Sequence, residues 1–460
     1  MERHAELPVS ERVVVLLIAA IQFINILDFM IVMPLGPDFA RELDISSNHI
    51  GIIAGAYTAA AAVAGVAGSF FLDRFDRRKA LAVCMFGLVI GTALAGLSWN
   101  LPTLIGARVI AGLFGGPATA LSLAIVADVV PRERRGRAMS TVMTAFSLAS
   151  IAGVPISLEI AHAAGWRAPF YSVAAFGVLI TAASIFLLPP LKLHLKSGIT
   201  PPGFGMFKMI TKPLPLLAAL ALMAMVTSAF AVIPNIPIYL EFNLGYTGEA
   251  WITSLLGSIG IDYTPSVLGP LYLIGGIASL LVLQVVGRMT DRFGSAAVSW
   301  VGAALTVTIM YIWFINYQSA LPSLFLFVFF MGAMTVRGVP ARTLDTKVPL
   351  AHERAAFMSM QSAVQHSTLA LAASLSSFIL VENPENKSLE GMATLGWIGV
   401  VFAILLPTFI TIAEIGVRRR DSRLADADAN EIKAPTMAAG APMTAPTPAR
   451  AGAVVNRDRD

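Results

Sequence analysis

Long apolar runs separated by short polar, glycine-containing or proline-containing stretches fill most of this 460-residue chain. A helix rises ~1.5 Å per residue, so about 20 consecutive apolar residues cross a hydrocarbon layer ~30 Å thick. That rule predicts six spans near 13–34, 49–71, 80–98, 102–128, 138–162 and 168–189. Six more follow near 214–239, 266–287, 296–315, 321–341, 357–381 and 393–416. The first run is too long for the core of a cleaved signal, and it carries Asn25 and Asp28, so it reads as a permanent helix.

Composition agrees with a chain dissolved in lipid. Hydrophobic residues make up 56% and charged residues 13%, with a mean hydropathy of +0.75. Soluble domains carry about 25% charge, so a water-soluble enzyme of this length is excluded. The single cysteine, Cys84, sits inside an apolar run and offers neither a disulfide nor a metal-ligand spacing.

The net charge of +4 matters less than its placement. One set of alternating loops holds Arg74, Arg77, Arg78 and Lys79, then Arg132, Arg134, Arg135 and Arg137. The same set holds Lys192, Lys196, Lys208 and Lys212, then Arg288 and Arg292, then Lys347 and Arg354. The other set offers only Arg41, Arg167 and Lys387. The excess of positive charge on cytoplasmic loops therefore places both termini in the cytoplasm and makes the number of spans even.

The expected layout is a cytoplasmic N-terminus over 1–12, a bundle over 13–190, a cytoplasmic linker over 191–212 and a second bundle over 213–416. A tail over 417–460, rich in Ala, Pro and Asp, is expected to be disordered. The bundles repeat one another. Asp73-Arg74-Phe75 recurs as Asp291-Arg292-Phe293 and Val130-Pro131 as Val348-Pro349, both displaced by 218 residues (73 to 291, 131 to 349). Parallel repeats of this kind build transporters with a site between the halves. The fold class is thus an all-α polytopic membrane protein of twelve transmembrane helices in two pseudo-symmetric six-helix bundles.

The loop Asp73-Arg74-Phe75-Asp76-Arg77-Arg78-Lys79 resembles the signature loop of the major facilitator superfamily, G-x-x-x-D-R-x-G-R-[RK]. Ser69 stands at the first glycine position and Asp76 at the second; the copy at Gly287, Asp291, Arg292 and Gly294 keeps the glycines and lacks the last basic pair. Arg108 followed by Gly112, Gly153-Val154-Pro155, and Asp28 in the first span are similar to motifs of the drug:proton antiporters of the arabinose-efflux-permease-like branch. The resemblance covers roughly 12–416 and implies secondary transport by alternating access, with efflux driven by inward proton flow. It implies no cofactor beyond the proton motive force, a monomer, and a bacterial inner membrane. It also implies that Asp73, Arg74, Arg77 and Arg78, with Asp291 and Arg292, form a cytoplasmic gate network that breaks during cycling.

Ionisable residues inside a span cost roughly 2.5–3.5 kcal/mol to insert and are functional candidates for that reason. Asp28 lies about six residues below the outer end of its span and Arg108 about seven below the outer end of an antiparallel one, so at ~1.5 Å per residue they share a depth. A carboxylate beside a guanidinium favours its charged form and takes a proton when the contact opens. That makes the two a proton-coupling pair, or else a fixed structural one. Glu159 is a further candidate for substrate or proton, or an interfacial acid beside His162. Asn25, Tyr57, Gln361, Gln365 and His366 are candidate cavity-lining polar groups, and Phe114, Tyr239, Trp313 and Met360 candidate cavity walls. Arg337, with Arg342 and Asp345 below it, reads either as an anion-recognition residue or as a snorkelling anchor. Gly112, Gly153 and Pro155 are candidate hinges.

The expected partners are a small-molecule substrate, protons and the lipid bilayer. A proton symporter or facilitator for uptake is the rival within transport, and a transporter-like sensor that moves nothing is the rival outside it. His-Glu-x-x-His, Gly-x-Ser-x-Gly and Gly-x-x-x-x-Gly-Lys are absent from the sequence, and the basic residues are spread over membrane-proximal loops rather than a nucleic-acid patch. No enzyme, metal site or nucleic-acid binding is expected.

Overall fold

The computed structural model describes residues 10–191, 208–260, 262–317, 321–350 and 353–433. The linker between Leu191 and Lys208 and the last part of the tail lie outside the described residues. The N-terminal half comprises α1 (Glu11–Met30), α2 (Gly36–Glu42), α3 (Ile50–Phe71), α4 (Arg77–Gly96), α5 (Leu101–Val129), α6 (Arg132–Leu148), α7 (Val154–Ala164) and α8 (Arg167–Leu187). The C-terminal half comprises α9 (Pro213–Phe230), α10 (Ala250–Ser258), α11 (Gly269–Phe293), α12 (Ser295–Met310), α13 (Ser323–Lys347), α14 (Arg354–Ile379) and α15 (Met392–Lys433). Residues through Ile415 form one compact unit and those from Gly416 a second.

Eleven helical stretches among the described residues are long and apolar enough to cross a membrane. The twelfth expected span is present as the 26-residue α14 but falls short in hydropathy. Gln361, Gln365, His366 and a series of serines account for that. A two-residue antiparallel pairing, Val381–Glu382 with Leu389–Glu390, lies in the connection from α14 to α15 of this all-α fold. One expectation is corrected. The tail expected to be disordered from residue 417 is helical to Lys433, where Arg, Ala, Leu and Glu favour helix.

Local chemistry explains the breaks. Asn100 and Thr103 cap α5 reciprocally, with Asn100 Oδ1 accepting from Thr103 N at 3.0 Å. Gly165 takes a φ of +84°, which turns the chain from α7 into α8. Between α6 and α7 lies one π-helical turn, Ala149–Gly153. Pro155, at the start of α7, cannot donate to a carbonyl one turn back, which loosens the ladder there. Pro234 and Pro237 likewise interrupt the stretch from α9 to Asn243.

Small residues set the helix spacing. A side chain at Gly112 would stand 2.1 Å from the Tyr57 carbonyl oxygen, and one at Gly116 would stand 2.6 Å from that of Ala61, so α3 and α5 touch along their backbones. Gly302 does the same for α12 against Arg337 of α13. Across the halves, Gly51 of α3 packs against Ala373 of α14, and Gly276 of α11 against Ile151 in the π-helical turn.

Candidate functional site

Asn25 and Asp28 lie three residues apart on α1 and so share a face, while Arg108, Gly115 and Thr119 share a face of α5. The two faces meet in the N-terminal half. Arg108 Nη1 donates to Asp28 Oδ1 at 3.0 Å and Nη2 to Oδ2 at 2.9 Å, a two-pronged pair. Nη2 also reaches the Asp28 backbone oxygen at 3.2 Å. Thr92 of α4 donates its hydroxyl to Oδ1 at 2.7 Å. Both charged side chains have 0% exposure.

Tyr57 of α3 completes the cluster. Its ring lies 4.8 Å under the Arg108 guanidinium, and its hydroxyl donates to Asn25 Oδ1 at 2.5 Å. Asn25 Nδ2 in turn donates to the Gly115 oxygen at 2.8 Å and to Thr119 Oγ1 at 2.6 Å. Glycine at 115 is required, because a side chain there would stand 2.3 Å from the Tyr57 hydroxyl. Arg108 Nε is left without an acceptor. The site therefore pairs a buried carboxyl with a buried guanidinium, already withdrawn from water, and parting them inside the protein would leave each without its compensating partner.

Four of the sequence-predicted residues, Asn25, Asp28, Tyr57 and Arg108, are thus brought together. The others lie elsewhere. Glu159 does not join them: its carboxylate accepts from Ser266 N at 3.1 Å, Ser266 Oγ at 2.7 Å and the Tyr263 hydroxyl, in the segment before α11. Here Glu159 bridges α7 and that segment as an acceptor. Gln361 donates to Asp345 Oδ1 at 2.6 Å, Arg342 donates to Gln365 Oε1 at 3.0 Å, and His366 Nδ1 lies 2.9 Å from the Ser362 oxygen. These form a separate polar cluster of α13 and α14. Arg337 is 1% exposed, which rules out a snorkelling anchor. Trp313, Tyr239 and Met360 are buried in packing, with the Tyr239 hydroxyl on the Trp313 oxygen at 3.1 Å, and Phe114 fills the space left at Gly87.

Gly112 and Gly153 are contact glycines, the latter against Leu27, next to Asp28. Of the signature loop, the side chain of Asp73 lies outside the described residues. Arg74 is exposed at the start of the loop, while Arg77 Nε pairs with Asp128 Oδ2 at 3.1 Å at the end of α5. Asp76 caps α4, accepting from Arg78 N at 3.0 Å, and Arg78 reaches the Ile185 oxygen. Asp291 and Arg292 are exposed, Arg292 over the Phe293 ring.

The end of the molecule opposite the basic loops is bonded across the halves. Arg41 donates to Glu241 Oε2 at 2.6 Å and to Asp38 Oδ1 at 2.6 Å. Asn48 reaches the Leu380 oxygen at 3.2 Å and Ile52 N donates to Ser377 Oγ at 3.1 Å, while within the C-terminal half Asn243 and Leu389 exchange two hydrogen bonds of 2.8 Å. Lys387 reaches the Ala40 oxygen. Burial lifts the Asp38 carboxyl above its usual range, against the opposing pull of Arg41. The bond to Glu159 holds the Tyr263 hydroxyl above its usual value. None of these partners is apparent from sequence: Thr92, Asp38, Arg41, Glu241 and Asp128 carry ordinary signals for a span or a loop.

A family model described as Major Facilitator Superfamily matches residues 18–373. The chain is 25% identical over 289 residues to the inner membrane transport protein YdhP of Escherichia coli O157:H7, covering 60% of this chain and 73% of that one. It is 27% identical over 308 residues to a chloramphenicol resistance protein of Streptomyces lividans, covering 60% and 75%. Among solved structures, a bacterial homologue of the human lysosomal transporter Spinster, inward-facing and unoccupied, superposes with a TM-score of 0.63 at 15% identity, over 89% of this chain and 97% of that one. The xylose transporter XylE from E. coli, partially occluded and inward-open, superposes with a TM-score of 0.63 at 16% identity, over 87% and 97%.

Proposed function

This chain belongs to the major facilitator superfamily, and on that premise we propose that it exports a small organic molecule in exchange for protons by alternating access. The observation that carries the reading is the fully buried Asp28–Arg108 pair. A membrane protein keeps such a pair, at a cost of several kcal/mol in desolvation, where charge must be gained and lost. The similarity to a chloramphenicol resistance protein supports efflux over uptake.

With the basic loops in the cytoplasm of a bacterial inner membrane, the bonds of Arg41, Asn48 and Lys387 between the halves close the outer side, and the described state faces inward. Here the Asp28 carboxyl is clamped by Arg108 and Thr92. Opening to the outside parts α1 from α5, water reaches the carboxylate, and it takes a proton. Neutral Asp28 then releases Arg108 to face the cavity. When the transporter again opens inward, outgoing substrate takes over this polar site and the proton leaves to the cytoplasm. One charge crossing 100 mV gains about 2.3 kcal/mol, which supplies the drive.

The test uses purified protein in proteoliposomes with an internal pH dye and an imposed inward proton gradient. Lipophilic cations, sugars and aromatic acids are added in turn to wild type and Asp28→Asn. The reading predicts a compound that dissipates the gradient with wild type alone. Labelled substrate crossing equally fast with and without a gradient, in both proteins, would show a facilitator with a structural Asp28.

A further inference from the structure

The segment between Asn243, where the long stretch from α9 ends, and Gly269, where α11 begins, contains α10, a helix of nine residues with no buried residue among them. At ~1.5 Å per residue it is too short to cross ~30 Å of hydrocarbon. Its ends are tethered to those of two spans. Ala250 follows Asn243 by seven residues, a reach of at most about 25 Å. The helix therefore stays close to the membrane surface at the end opposite the basic loops.

Its side chains are sorted. At about 100° per residue, Trp251, Ile252, Leu255, Leu256 and Ile259, just past its end, fall within one arc of about 140°. Thr253, Ser254, Gly257 and Ser258 take the other side. Three residues of the apolar arc are uncovered, Trp251 at 52% exposure, Leu255 at 54% and Ile259 at 63%, while Ile252 and Leu256 are half-buried. From Ala250 to Gly260 the sequence has no charged residue. Glu249, just before the helix, accepts from the Trp251 indole N–H at 3.0 Å and from the Tyr246 hydroxyl at 3.2 Å, so the polar edge of the tryptophan is turned to the water boundary. The span that follows, α11, also carries large exposed apolar side chains, Leu273, Ile277 and Leu281.

We propose that α10 is a membrane-surface helix, seated with Trp251, Leu255 and Ile259 in the headgroup–acyl boundary of the bilayer in which the protein sits. A sorted helix with an uncovered apolar face beside a lipid-facing span has lipid as its fitting partner. Tryptophan at its first turn matches the interfacial belt. Because the polar side carries no cation, seating comes from apolar area and not from attraction to anionic lipid. The same segment bonds Glu159 through Tyr263 and Ser266, so the seated helix ties the lipid surface to the end of α7.

The experiment places nitroxide labels on the full chain in neutral-lipid liposomes, one at a time at positions 253, 254, 255 and 259, after Cys84→Ser. Collision with oxygen, which prefers lipid, is compared with collision with a water-soluble nickel chelate. Labels at 255 and 259 are expected to favour oxygen several-fold, and labels at 253 and 254 to favour nickel. Equal nickel access on both faces would overturn the proposal by placing the helix in water. Protection of 255 and 259 from both reagents would overturn it in favour of a protein partner, such as a second copy. With Leu255→Asp, a label at 259 should move towards nickel access; an unmoved label counts against seating by the apolar face. These readouts do not depend on transport, so they stand or fall apart from the efflux reading.

Discussion

Asp28 and Arg108 are each intolerable alone in this place and stable together. Replacing Asp28 by Asn leaves a buried guanidinium with no counter-charge, which costs about 3–5 kcal/mol. We expect Asp28→Asn to lower the melting temperature in detergent and to abolish proton-driven exchange. Adding Arg108→Gln should restore much of the stability without restoring exchange, since neutral residues of similar shape remove the desolvation penalty and the proton site together. A double variant that exchanges protons at the wild-type rate would refute the coupling role. Thr92→Val removes one donor to an ionised acceptor, a bond worth about 1.5–3 kcal/mol. Exchange should fall several-fold while the protein still folds; unchanged exchange would make Thr92 a packing residue. The pair was legible in the sequence because charge inside a span is costly and because counting turns put both residues at one depth. Thr92 was not: a threonine hydroxyl bonded to its own helix, here to the Leu88 oxygen at 2.9 Å, is the ordinary case, and its second partner lies 64 residues away.

At the scale of elements, the apolar runs located nearly every helix, and the misses have physical causes. Helix α14 was placed correctly although its hydropathy is low, because its polar residues face other protein rather than lipid: Gln361 meets Asp345, and Gln365 meets Arg342. The π-helical turn before Pro155 was readable only as a hinge, since sequence shows the missing N–H but not how the ladder adapts. The segment bearing α10 carries no span signal in the sequence, because nine residues fall below the length rule. Contacts between helices are where prediction becomes sharp. A side chain at Gly51 would stand 2.1 Å from the Ala373 oxygen and 2.3 Å from Ser376 Oγ. Gly51→Val should therefore hold α3 off α14 and bias the protein away from closure at the end opposite the basic loops. Pulsed spin-label distances between positions 48 and 380 should lengthen by several ångströms; an unchanged distance distribution would show that closure does not depend on this contact.

For the whole molecule, the halves are joined by charge as well as by packing at the end opposite the basic loops, the outer side in the proposed orientation. Arg41 belongs to the short helix after α1 and Glu241 to the end of the stretch that begins with α9, so their 2.6 Å bond spans the two halves. The pair was invisible in the sequence: 200 residues separate its members, and each sits in a stretch that reads as an ordinary span end. The surface position and partial exposure of Arg41 limit the bond to roughly 1 kcal/mol or less as an isolated pair. Yet Arg41→Glu sets three carboxylates together, with Asp38 and Glu241, and repulsion then favours opening. Spin labels across the outer side should separate in Arg41→Glu and return in Arg41→Glu with Glu241→Arg; failure of the swap to restore closure would assign the effect to the local fold of α2. Protons should act in the same direction as the latch. Burial holds the Asp38 carboxyl above its usual range in the closed form, so the closed form binds that proton more tightly than one opened to water. By linkage, closure gains as pH falls through the raised closed-state value towards the ordinary carboxylate value, and loses that gain above it. The distance distribution should therefore shift towards the closed peak on acidification, and Asp38→Asn should flatten that response; a pH response unchanged in Asp38→Asn would place the proton at another group of the outer side.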